Sequence, residues 1–185
     1  PLCQDYASHI IEGADKMDTV ISGLLRFSAP KKVQLTETNI NEVIKEVKKL
    51  IPELIGAKNI RVSLQLDSGI PSVLVDPTEI KDVFSLILRN AVESVEAEGE
   101  IVIKSKKEGN EIKVSITNTG GCIDEEILQE IFNPFFTTKV AGTGLGLATA
   151  LATIKAYNGD IKVQNDQAFK LTTFVIKIPI PERKG

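Results

Sequence analysis

The chain has 185 residues, 42% hydrophobic and 25% charged, with 22 Lys and Arg against 25 Asp and Glu for a formal net charge of −3. That is the composition of a soluble globular domain with a sizeable core, and it excludes a disordered or fibrous chain. The lack of a basic excess argues against nucleic acid as a partner, and no apolar run reaches the roughly 18–20 residues that cross a bilayer. The two cysteines, Cys3 and Cys122, match no zinc spacing, so a reducing, cytoplasmic setting without a structural metal is expected.

In chain order, Cys3, Ala7, Ile10, Ala14, Met17, Ile21 and Leu24 are spaced alternately by four and three residues. This heptad seam predicts one long helix over residues 1–30, ended at Ala29-Pro30, with an apolar side that needs a partner helix. A single domain is expected over 31–185. Val33–Glu37 alternates like a short strand, Asn39 is placed to cap a helix over Ile40–Leu50, and Pro52 reads as its stop. Ile60–Leu66 alternates as a half-buried strand, and Val73–Val75 is a second short one. Asp76-Pro77 opens a long helix whose inner face is Ile80, Val83, Phe84, Ile87, Leu88, Ala91 and Val95.

Glu100–Lys107 and Glu111–Thr117 predict a hairpin around Gly109-Asn110. A short helix over Asp124–Ile131 and an irregular stretch over Phe132–Thr143 follow. Leu145–Tyr157 reads as a helix closed by Gly159, and Asp160–Gln164 and Leu171–Ile178 as strands. The expected fold class is an α/β (α+β) sandwich, a mixed sheet with helices on one face.

Four features can carry chemistry. Gly142-Thr143-Gly144-Leu145-Gly146-Leu147 opens a helix, where glycine-exposed amides and the helix N-terminus favour an anion such as phosphate. Alone, such a run reads equally well as a flexible start to a helix. It is neither a P-loop, lacking Gly-Lys-Ser/Thr, nor a dinucleotide fingerprint. Asn90 lies at the edge of the apolar face of its helix, with Glu93 nearly one turn on. The Asn90 amide oxygen suits octahedral Mg²⁺ completed by phosphate oxygens; otherwise it is a surface Asn in a helix that gains nothing from one. Asn118-Thr119-Gly120-Gly121-Cys122-Ile123 leaves a strand and can set an acceptor against a purine amino group, or is a plain turn. Phe132-Asn133-Pro134-Phe135-Phe136-Thr137-Thr138-Lys139 holds three of the seven Phe and a cation within reach of a terminal phosphate.

In this order, the four features resemble the ATP-binding catalytic domain of sensor histidine kinases, the Bergerat fold. Leu86–Ser94 is similar to the family's N box, Asn118–Ile123 to its first glycine box, and Phe132–Lys139 to its F box. Gly142–Leu147 is similar to the second glycine box and Thr172-Thr173-Phe174 to the closing strand. Residues 1–30, with Ile21–Ser28, resemble the second helix of the dimerisation and phosphoacceptor hairpin, whose His-bearing first helix is not in this chain. His9 is followed by Ile10-Ile11 rather than an acidic residue, and it reads as a surface residue.

The resemblance implies ATP or ADP with Mg²⁺, and transfer of the γ-phosphoryl group to a His on that other helix. Catalytic roles fall to Asn90, Glu93 and Lys139, with Asn90 as metal ligand. The nucleotide contacts implied are Asn90, Asn118, Gly120, Ile123, Phe136, Thr138, Lys139, Gly142, Thr143, Gly144, Leu145, Gly146, Leu147 and Thr172. Implied partners are a response regulator receiver domain, the chain's own phosphoacceptor helix, and a second copy joined through the N-terminal helix. Four positions depart from the family pattern. Asn118 stands for Asp, Cys122 for the second glycine, and Leu86 for a frequent Asn; the Lys139–Gly142 loop is short. Asn118, Cys122 and Leu86 support a competing reading, a non-catalytic nucleotide-binding or scaffold module of a degenerate kinase. A serine-phosphorylating relative is a third reading, which the heptad arm disfavours.

Overall fold

The computed structural model describes residues 33–56, 58–96, 98–139 and 142–181. The expected long helix over 1–30 lies outside the described residues. The elements are β1 (Thr36–Thr38), α1 (Ile40–Lys48), α2 (Ile51–Ile55), β2 (Asn59–Leu66), β3 (Val73–Val75) and α3 (Pro77–Ser94), then β4 (Glu98–Glu108), β5 (Glu111–Thr119), α4 (Gly146–Ala156), β6 (Asp160–Asp166) and β7 (Leu171–Pro179).

The main sheet has five strands in the order β2-β4-β5-β7-β6. Its β2–β4 pair is parallel and the others are antiparallel. β1 and β3 form a separate antiparallel pair. On the main sheet, side chains alternate between a buried face and a half-buried one, as a period of two requires. The buried face carries Ile101 and Ile103 of β4, Ile112, Val114 and Ile116 of β5, and Phe174, Ile176 and Ile178 of β7. Against them pack Ile40, Val43, Ile44 and Val47 of α1, Ile80, Val83, Phe84, Ile87 and Leu88 of α3, and Ala150 and Ile154 of α4. A buried polar link adds direction to this packing. Ser105 Oγ donates to Asn41 Oδ1 at 2.6 Å, and Asn41 Nδ2 donates to the Asp67 carbonyl at 2.8 Å.

α3 is pinned at both ends. Asp76 caps it, accepting from Thr78 N–H at 2.9 Å and also from Gln34 N–H at 2.8 Å. At the other end, Lys58 Nζ donates to the carbonyls of Val92 (2.9 Å) and Val95 (2.6 Å), a cation on the negative end of the helix dipole.

Several boundaries differ from the sequence reading. Pro52 does not stop a helix; it sits in the first turn of α2, where its missing N–H costs nothing. The first strand is Thr36–Thr38, because that is where β3 offers a partner. Asp124–Ile131 is a run of turns rather than a helix, with Ile127 N–H bonded to Asp124 O and Glu130 N–H to Ile127 O, three residues back in each case. α4 is closed by Asn158 in the left-handed conformation (φ 58°), its N–H bonded to Lys155 O and that of Gly159 to Ile154 O. Gly159 is needed for a different reason: a Cβ there would sit 2.3 Å from the Lys177 carbonyl oxygen.

Candidate functional site

One rung of the sheet lays out half of the site. The register sets Ile101 opposite Asn118, Asn118 opposite Thr172, and Thr172 opposite Asn165. Three polar residues thus stand side by side on the buried face, at the strand ends, where each strand otherwise points apolar side chains inward. Thr172 Oγ1 donates to the Gly121 carbonyl at 2.9 Å and lies 3.3 Å from Asn165 Oδ1. Asn165 clasps the turn from the other side: it accepts Ile123 N–H at 3.2 Å and donates to Ile123 O at 2.6 Å.

The turn after β5 is shaped by glycine. Gly120 (φ 116°) and Gly121 (φ 123°) both occupy the region closed to side chains. A Cβ at Gly120 would come within 2.4 Å of the Ser94 carbonyl oxygen, so this glycine lets the turn lie against the end of α3. Cys122 is not among the positive-φ residues. The positive φ falls on Gly120 and Gly121, so the cysteine that stands for the family's second glycine fits without backbone cost. Its Sγ faces the carbonyls of Asp166 (3.5 Å) and Leu171 (3.8 Å).

The Phe-rich loop is tied down at two points. Phe132 packs edge-on against Phe174, with ring centroids 6.5 Å apart. Phe135, at φ 69°, donates its N–H to the Gly144 carbonyl at 3.1 Å, locking this loop to the glycine run. Gly144 (φ 67°) is indispensable there, since a Cβ would meet the Phe135 carbonyl carbon at 2.3 Å. A Cβ at Gly142 would come within 2.4 Å of Thr137 Oγ1, a side-chain atom, whereas one at Gly146 would make an ordinary 3.6 Å contact with Leu86. Leu86 therefore packs beneath the start of α4.

Lys139 closes the constellation. Its Nζ donates to Asn90 Oδ1 at 2.6 Å and to Glu93 Oε2 at 2.5 Å, across 49 and 46 residues of chain. The side chains of Lys139 and Glu93 are 41% and 47% exposed. An ion pair so open to water is worth about 0–1 kcal/mol.

The structure thus joins Asn90, Glu93 and Lys139 directly, and links Gly120, Ile123 and Thr172 through the clasped turn. Phe136 is half-buried and Thr138 exposed; Thr143 is half-buried, Leu145 is buried at the N-cap of α4, and Leu147 lies in its first turn. Thr143 Oγ1 accepts from Leu145 N–H at 3.4 Å. Asn118 is only 1% exposed and donates Nδ2 to the Thr119 carbonyl at 3.0 Å, so a base meets it only by displacing what covers it. Asn165 was missed from the sequence. Its signal was a polar residue in phase with the inward-facing Ile161 and Val163.

Comparison with known proteins follows the same geometry. The family described as "Histidine kinase-, DNA gyrase B-, and HSP90-like ATPase" matches residues 75–182. The chain is 33% identical over 181 residues to the signal transduction histidine-protein kinase AtoS of Escherichia coli, covering 97% of this chain and 30% of that protein. It is 29% identical to the sensor histidine kinase ZraS of the same organism, covering 90% of this chain and 36% of that protein. The chain spans about a third of the length of these curated relatives. Among solved structures, the nucleotide-free catalytic domain of histidine kinase ThkA superposes with a TM-score of 0.72 at 37% identity, over 79% of this chain and 95% of that one. ThkA in complex with the response regulator protein TrrA gives 0.80 at 31% identity, over 99% and 53%.

Proposed function

Since the chain belongs to the histidine kinase-, gyrase- and HSP90-like ATPase family, we propose that it is the ATP-binding catalytic domain of a two-component sensor histidine kinase. The reaction is transfer of the ATP γ-phosphoryl group to a His on a separate helix. The observation that carries this reading is the contact of Lys139 with Asn90 at 2.6 Å. It brings together a phosphate-seeking cation and a metal-competent amide, from segments that the sequence keeps far apart.

The donor set fits a hard divalent cation. Asn90 Oδ1 and Glu93 Oε2 already converge on one positive charge, the Lys139 ammonium. Mg²⁺ binds through one or two protein oxygens and completes its octahedron with phosphate and water. Asn90 would hold it, and bound there it would neutralise charge on the β- and γ-phosphates. Lys139 supplies the second positive charge. The amides of Gly142, Gly144 and Gly146, at the opening of α4, would donate to the phosphate oxygens at the positive end of the helix dipole, with that of Gly142 giving up its bond to the Lys139 carbonyl. Asn118 and Thr172 sit where the adenine edge would be read. The imidazole nitrogen attacks the γ-phosphorus in line as the bond to the β-phosphate oxygen breaks and ADP departs, so positioning and charge neutralisation dominate.

The match over 99% of this chain and 53% of ThkA, whose structure is in complex with the response regulator protein TrrA, supports a response regulator receiver domain as partner. The same reading makes residues 1–30 the second hairpin helix and residues 31–185 the catalytic domain, with a homodimer through that arm. Among the described residues, no helix is long and apolar enough to cross a membrane.

The test has two stages. Calorimetry with ADP and with a non-hydrolysable ATP analogue, each with Mg²⁺, should show one site. Incubation with labelled ATP and a separately made His-bearing hairpin should then give acid-labile, alkali-stable phosphate on the hairpin. Binding without transfer would favour the non-catalytic reading, for which Asn118 in place of Asp is the supporting feature.

A further inference from the structure

Lys139 does something that a phosphate-binding lysine need not do. Its ammonium shares itself between Glu93 and the neutral amide of Asn90, taking the Oδ1 atom that a metal ion would need. Asn90 and Glu93 lie three residues apart on α3, so both oxygens face the same point on one side of the helix. We propose that Lys139 is a resident stand-in for the divalent cation, holding its position in the nucleotide-free chain and leaving only when ion and phosphate arrive together. This rests on the reading of Asn90 as the cation ligand.

Three features support an exchangeable plug. Lys139 is held by its own backbone groups: its N–H donates to Thr137 Oγ1 at 3.1 Å, and its carbonyl accepts from Gly142 N–H at 3.1 Å. The flexible four-carbon stem can therefore move while its root stays in place. The pair is also open to water on both sides, so the contact is weak enough to be given up. Finally, the charges remain matched. Glu93 keeps a counter-charge when the divalent ion replaces the ammonium, and the released lysine carries its charge to the phosphates.

The consequence is that the ion alone is kept out. The experiment titrates Mn²⁺ without nucleotide and follows paramagnetic broadening of the Asn90 side-chain amide protons, in wild type, Lys139→Met, and Lys139→Met with Glu93→Gln. Amide spectra of each variant confirm the fold. Apparent Mn²⁺ affinity at Asn90 should rise about fivefold in Lys139→Met, the factor matching release of an exposed charge pair. Part of the gain should survive in the double variant, where Asn90 Oδ1 is still free although the net charge is that of the wild type. Equal broadening in wild type and Lys139→Met would overturn the proposal, as would a gain that Glu93→Gln cancels entirely, the mark of net charge alone. Nucleotide calorimetry on the wild type separates the two readings: no ADP binding sinks the nucleotide site, whereas the Mn²⁺ pattern judges the plug.

Discussion

Tyr157 donates its hydroxyl to Glu79 Oε2 at 2.6 Å, tying the end of α4 to the first turn of α3. The Tyr157 hydroxyl oxygen in turn accepts Asp76 N–H at 3.2 Å. Burial raises the Tyr157 phenol above its ordinary value, and the bond to Glu79 raises it further. Tyr157→Phe should cost about 1–3 kcal/mol, the worth of a hydrogen bond to a charged partner. The sign with pH is definite. With the folded value above the unfolded one near 10, this contribution is complete below pH 10 and is lost as pH rises beyond it. Urea titrations at pH 8 and above pH 10 should show the gap between wild type and Tyr157→Phe narrowing in alkali.

Asp76 gives the opposite dependence. Its carboxylate is held below the usual carboxylate range, first by the Gln34 N–H and then by the amides of Thr78 and Glu79, against the cost of burial. Its stabilisation is present above the unfolded value near 3.9 and is lost as pH falls through the folded one. Asp76→Ala should cost about 1–2 kcal/mol at neutral pH, the usual loss for a helix cap. The difference from wild type should shrink toward pH 2, as measured by denaturant midpoints.

The glycines of the 142–146 run should respond unequally. At Gly144, alanine would adopt a positive φ with its Cβ 2.3 Å from Phe135 C. Displacing the Phe135–Gly144 bond should weaken ADP binding by at least about tenfold, since left-handed strain alone costs about 1–2 kcal/mol. Gly146→Ala should leave binding within about twofold and raise stability by roughly 0.5–1 kcal/mol, because its Cβ meets Leu86 at contact distance in a helix. Calorimetry and melting of the two variants make the comparison.

Asn118→Asp trades stability for affinity. The carboxylate cannot donate to Thr119 O as the amide does, and it is buried at 1% exposure. The nucleotide-free chain should lose about 1–3 kcal/mol. If Asn118 reads the adenine amino group, ADP should bind about tenfold tighter, a charge-assisted bond being stronger by about 1–2 kcal/mol. Thermal melts with and without ADP give both numbers. Lower affinity would remove Asn118 from the base site.

Much of the site was written in the order of its segments. Helix caps at Asn39 and Asp76, the inward parity of Ile112, Val114 and Ile116, and the glycines before α4 are local properties, set by backbone sterics and a two- or 3.6-residue period. These determine elements and faces without reference to distant chain. Even the polar breaks in parity at Asn118 and Thr172 could be seen, although nothing local says that they belong to one rung.

Register and contact were decided only by the tertiary structure. Asn165 becomes a neighbour of Thr172 because β6 and β7 pair in one register, a choice made by burying Ile161 and Ile176 together. Position 122 accepts cysteine because the positive φ angles of the turn fall at Gly120 and Gly121, and it is Gly120 that lies against the Ser94 carbonyl, a placement that glycine spacing alone does not reveal. The turns over Asp124–Ile131 fail to become a helix although their sequence allows one, since helix formation over so few residues depends on packing more than on propensity. Above all, Lys139 meets Asn90 and Glu93 because Phe132 is anchored on Phe174 and Phe135 on Gly144. A charge on a loop carries no address in its own neighbourhood; folding of the flanking Phe and Gly residues supplies it.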